Sequence, residues 1–148
     1  MTRTSVQKMN RRIDRTRARA WALQVHYRWD VGDKHATLSD ALDEVMSTRR
    51  IRSSRLPYLK RLVSKLHKHG SEVDDLLSMV LDNWRLDRLS LLDRGVLRIG
   101  AVEIAYLEDI PFKVSIQEAV RMAERYGGSD SPRFVNGVLD ALYRQMMD

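Results

Sequence analysis

Five arginines, Arg11, Arg12, Arg15, Arg17 and Arg19, fall within nine residues. A guanidinium pairs with a phosphate through two parallel hydrogen bonds and also stacks on bases, which an ammonium does less well. Cations this close repel one another, so the spacing calls for a polyanion and reads as nucleic-acid binding, without separating RNA from DNA. A second basic block, Arg49 to Lys68, has eight Lys and Arg and no acid. It reads either as a solvated face or as an auxiliary surface for phosphates.

Unpaired bases stack on aromatic side chains. Tyr126 and Phe134 flank the stretch Gly127-Gly128-Ser129-Asp130-Ser131-Pro132-Arg133, although periodicity alone makes each a core residue. Trp21 and Trp29 also read as core. Signals for catalysis are poor. His67 and His69 are two residues apart on one helical segment and point in different directions, and His26 and His35 have no motif around them. The chain lacks the HExxH pattern, a phosphate-cradling glycine loop, the Gly-x-Ser-x-Gly elbow and cysteine. No catalytic residue, cofactor or metal is assigned.

The elements that would carry these residues are helical throughout. Ala18, Trp21, Ala22, Val25 and Trp29 form one apolar stripe on a helix over Ile13 to Trp29, widened by Leu23 and Tyr27 and stopped at Val31-Gly32-Asp33. Further helices are expected at Ser39–Met46, at Leu56–His69 ended by Gly70, and after a Ser71 cap through Leu81. The segment Leu89–Leu107 is apolar on nearly all sides and so central. Its Gly95 and Gly100 suggest close helix crossings. A capping box at Ser115-Ile116-Gln117-Glu118 opens the sixth helix. Ser131-Pro132, read as N-cap and first helical residue, opens the seventh. The class is all-α, a bundle around the 89–107 helix.

The 148 residues suit one domain, 1–148, with residues 1–12 as a flexible basic arm. Seven glycines and three prolines argue against turn-rich all-β or linker-rich designs, and the absence of cysteine fits a reducing compartment. No stretch approaches the apolar length of a membrane span or a secretory signal. The net charge of +6 is unevenly placed. Residues 1–20 carry +6, residues 21–48 −3, residues 49–68 +8 and residues 69–148 −5.

Three blocks bear a family likeness. They are the Arg-rich run into Ala22-Leu23-Gln24-Val25-His26-Tyr27-Arg28-Trp29-Asp30, the run Asn83-Trp84-Arg85-Leu86-Asp87-Arg88-Leu89-Ser90-Leu91-Leu92-Asp93-Arg94, and Asp109-Ile110-Pro111-Phe112 followed by Tyr126-Gly127-Gly128 and Ser131-Pro132-Arg133-Phe134-Val135-Asn136-Gly137-Val138-Leu139-Asp140. In order and spacing the chain resembles the NusB family of bacterial transcription antitermination factors over almost its full length. The resemblance implies a seven-helix fold of two helical subdomains and a non-enzymatic, cytoplasmic RNA-binding protein. Its partners would be NusE, a small-subunit ribosomal protein docking mainly on the C-terminal helices, and boxA in single-stranded ribosomal RNA leader transcripts. The assembly would act on RNA polymerase and support ribosomal RNA maturation. The implied RNA contacts are Arg12, Arg15, Arg17, Arg19, Asp93, Tyr126, Asp130, Arg133 and Phe134. That assignment moves Tyr126 and Phe134 from core toward partial exposure. Thr16 interrupts the arginine series, Ala20 and Ser129 stand where acids are usual, and the N-terminus is about ten residues longer than a minimal member. Monomer and homodimer both stay open, and a homodimer would cover the arginine surface until RNA or NusE displaced it.

Two other readings have distinct tests. A NusB-like domain also precedes the catalytic domain of certain ribosomal RNA cytosine methyltransferases, which methyl transfer from S-adenosylmethionine would reveal. A helical DNA-binding protein would hold duplex DNA as well as boxA-like RNA, although no convincing recognition helix is present.

Overall fold

The computed structural model describes residues 2–32, 35–83 and 85–148. The Asp33 end of the first predicted stop and Trp84 of the second family block lie outside the described residues. Among the described residues there are six α-helices and no strand: α1 (Arg3–Val31), α2 (Leu38–Thr48), α3 (Leu56–Val80), α4 (Leu91–Tyr106), α5 (Phe112–Tyr126) and α6 (Ser131–Met147). Short 3-10 turns at Ser53–Arg55 and Leu86–Arg88 precede α3 and α4. No described helix is long and apolar enough to cross a membrane.

The helix count is six rather than seven because Gly70 does not stop its helix. No glycine among the described residues has positive φ, so the left-handed turn that ends a helix at glycine is absent. The chain only kinks, at His69 (φ −112°, ψ 17°), and continues to Val80. Ser71 therefore lies inside α3 and caps nothing. The expected arm at 1–12 also differs, since residues 3–12 form the exposed first turns of α1. The Thr2 hydroxyl accepts from the Ser5 backbone N–H at 3.1 Å, and no Pro or Gly interrupts the run.

The capping box at Ser115 is overruled by tertiary contacts. Pro111, at φ −60° and ψ 138°, stands before the first turn of α5, so Ser115 is already helical and buried. The Glu118 carboxylate instead accepts from the Thr16 hydroxyl at 2.8 Å and lies 3.7 Å from Arg19. At α6 the frame shifts by one residue. Asp130 is the N-cap, Ser131 the first helical residue and Pro132 the second, while the Ser131 hydroxyl accepts from the Gly128 N–H at 3.1 Å.

Helix α4 is the centre, packing on α1, α3, α5 and α6, with α2 laid across α1 and α3. Val96, Leu97, Ile99, Ala101 and Val102 on it are essentially inaccessible. Its two glycines are spaces for neighbours. A Cβ on Gly95 would stand 2.7 Å from His26 Nδ1, and one on Gly100 would stand 2.6 Å from Leu139 Cδ1. Trp21 and Trp29 are partly buried against the core.

His26 itself is fully buried. Arg98 Nη1 can only donate, so His26 Nε2 accepts at 3.0 Å and the proton sits on Nδ1, which has no partner among the described residues. Burial first, and then the Arg98 charge, press the His26 pKa down to about 4. Between pH 6.5 and 4 the unfolded chain therefore binds a proton that the folded chain refuses. Stability falls as pH drops through that window, by roughly 3 kcal/mol in full. His26→Gln should flatten the pH dependence of the urea midpoint there. An equally steep dependence in the variant would remove His26 as its source.

Candidate nucleic-acid interface

The arginines of α1 divide by helical angle. Arg12 and Arg17 are exposed and, among the described residues, form no ion pair. Together with Ile13, Thr16 and Ala20 they face Arg121, Arg125 and Tyr126 of α5 across an open cleft. Thr16 interrupts the series because its position meets Glu118 rather than solvent. Arg15 is intermediate. It lies 3.6 Å from Asp109 and stacks over the Tyr58 ring at 4.9 Å, on a neighbouring cleft shared with Lys8 and Arg11.

Arg19 departs from the expected role. It is 3% exposed, and its Nε donates to Glu103 Oε2 at 2.6 Å. The buried Tyr58 hydroxyl donates to the same oxygen. Burial alone would lower the Arg19 pKa, but Glu103, Tyr58 and Glu118 outweigh it and raise it above the ordinary value. A guanidinium spent in this way cannot reach a phosphate. Arg19 ties α1 to α4 and α5 and thereby sets the angle at which Arg12 and Arg17 are presented.

The second half of the interface lies where α1 passes α2. Ala20, Gln24 and Tyr27 form the floor of a cleft between Arg28, Glu44 and Arg49 on one side and Leu92 and Tyr126 on the other. Ala20 and Tyr126 belong to both clefts, which makes one continuous groove along the solvent face of α1. Arg28 pairs with Glu44, which leaves Arg49 as the unpaired cation of that wall among the described residues. Tyr126 is 46% exposed, with Arg125 lying 5.7 Å from its ring. Tyr27 is 51% exposed, so it is a floor residue and not part of the apolar stripe.

The remaining expected contacts sit around this groove without lining it. Asp93 follows Leu92 in the first turn of α4, and its backbone N–H donates to Ser90 Oγ at 3.1 Å. Its Oδ1 is buried without a hydrogen-bond partner among the described residues. Asp130 and Arg133 are exposed just beyond Tyr126, whereas Phe134 is half-buried against the core. Arg121, Arg125, Tyr27 and Arg49 were not singled out from the sequence as groove residues. The spacing of Arg121 and Arg125, four apart on one helix, is the signal that could have marked them.

A model of the NusB family matches residues 16–144. The chain belongs to the NusB family. It is 39% identical over 129 residues to the transcription antitermination protein NusB of Bacillus subtilis, covering 86% of this chain and 92% of that protein. With the protein of the same name from Myxococcus xanthus it shares 40% identity over 130 residues, covering 85% and 91%. Among solved structures, NusB of T. maritima superposes with a TM-score of 0.78 at 32% identity, covering 88% of this chain and 91% of that one. A complex of antitermination factors NusB and NusE with double-stranded RNA has a chain that superposes with a TM-score of 0.78 at 28% identity, covering 89% and 97%. The groove lies almost wholly within the matched NusB residues, which Arg12 and Ile13 precede, as do Lys8, Arg11 and Arg15 of the adjoining cleft.

Proposed function

We propose that this NusB-family chain is an RNA-binding transcription antitermination factor. With NusE it would hold boxA of ribosomal RNA leader transcripts and support processive transcription and ribosomal RNA maturation in the cytoplasm. The observation that carries the reading is the continuous groove, in which exposed arginines flank exposed tyrosines. Arg12, Arg17, Arg121 and Arg125 neutralise phosphates, and Tyr126 and Tyr27 offer faces to unstacked bases. Asp130, Arg133 and the half-buried Phe134 extend the contact beyond Tyr126, and Asp93 offers an acceptor beside Leu92. Arg15 contributes from the adjoining cleft. Nothing in this arrangement requires catalysis, and the protein acts by assembling RNA, NusE and the RNA polymerase complex.

A mobility shift tests the reading. A boxA strand, a scrambled strand and a boxA duplex are each titrated with and without purified NusE. The boxA strand should shift at the lowest protein concentration, and NusE should lower that concentration further. Equal affinity for the scrambled strand, with no effect of NusE, would contradict the assignment. Preference for the duplex would keep RNA binding and remove base stacking from it.

A further inference from the structure

The basic block at 49–68 divides into two groups once its partners are known. Arg55 lies 3.4 Å from Asp14 and Arg61 forms a two-pronged pair with Asp109, so both hold the fold together. Among the described residues no acid pairs with Arg49, Arg50 or Arg52. Arg49 caps the C-terminus of α2, where a cation is favoured, but Arg50 and Arg52 have no such duty. All three are exposed, while Ile51 between them is half-buried against the core and anchors the segment. The backbone is extended at Arg49 (φ −124°, ψ 147°) and at Arg52 (φ −59°, ψ 133°). The segment is thus pinned at Ile51 and carries three exposed guanidinium groups with no acid partner among the described residues.

We propose that Arg49, Arg50 and Arg52 form a second phosphate-contacting wall, along which a longer single strand of RNA runs on from the groove. Two observations carry this. The charge is complementary to a phosphate chain, and Arg49 lines the same cleft as Tyr126, so the wall is continuous with the interface already described. That continuity favours RNA over an acidic protein. The proposal rests on the groove being an RNA site, and it adds a longer footprint.

The test measures RNA affinity against salt concentration by fluorescence anisotropy. The probes are a boxA strand and the same strand extended at either end in turn by a run of uridines. Extension should tighten binding to the parent protein. In Arg49→Ala/Arg50→Ala/Arg52→Ala the slope of log K against log salt on the extended strand should become shallower by about two units, at about 0.7 for each phosphate that is no longer neutralised. The unextended strand should lose only the Arg49 share, about 0.7 unit. An unchanged melting temperature shows that the variant is folded. Arg50→Glu/Arg52→Glu supplies a second readout, since repulsion should cancel the gain from extension. If extension adds nothing, or the slopes of parent and variants coincide on the extended strand, the wall is overturned while the groove stands. A parent protein that binds neither strand removes the groove and the wall together. Loss of binding to an acidic protein with RNA slopes unchanged would also overturn the RNA assignment.

Discussion

Replacing Arg19 with alanine is expected to cost about 3–5 kcal/mol of stability, the usual penalty for breaking a buried ion pair from one side. The reason lies in what is left behind. Glu103 is 1% exposed, and its Oε2 would keep only the Tyr58 hydroxyl. Glu118, also buried, would keep Thr16 but lose its nearest buried cation. The cavity left by the side chain adds to the cost. In urea the midpoint should fall sharply with little change in slope, because the unfolded surface is unchanged. Arg19→Met combined with Glu103→Gln removes both charges and should recover much of the loss. A single-variant cost under about 1 kcal/mol would place Arg19 among ordinary surface arginines and return it to the RNA-contacting set.

The opposite pattern is expected of Arg12→Ala/Arg17→Ala. Both side chains are exposed and, among the described residues, unpaired, so stability should stay within about 0.5 kcal/mol of the parent. RNA affinity should drop, and the salt slope on a single strand should become shallower by about 1.4 units, as expected for two phosphates left without their arginines. Two exposed arginines on one helix would thus change binding without stability, and Arg19, two residues beyond Arg17, stability first. An unchanged slope in the double variant would take the solvent face of α1 out of the binding site.

This contrast shows what can be read from a sequence of this kind. The core of α1 follows from spacing alone, since Ala18, Ala22 and Val25 recur at helical intervals and are fully buried. The central position of α4 follows from its lack of a polar face, and Gly95 and Gly100 do mark close approaches. Arg19 was not legible as a core residue. Its type and spacing match those of its neighbours, and its burial depends on Glu103, eighty-four residues away in sequence. Ser115 and Gly70 failed for related reasons. A capping box and a glycine stop are local signals, and contacts from Thr16 and Arg19 to Glu118, or continued packing of α3, override them. Tyr27 sits at an apolar interval yet faces the groove, because α2 and the start of α4 stand to either side of it rather than over it.

The most direct test of the groove is a titration of isotope-labelled protein with a boxA strand, followed by backbone and arginine side-chain NMR. The largest shifts should fall on Arg12, Arg17, Arg121, Arg125, Tyr126 and Tyr27, with little change at Arg19 or on the α3 exterior around Lys60 and Lys68. Shifts centred on the α3 exterior, with the α1–α5 groove unperturbed at saturation, would contradict the account.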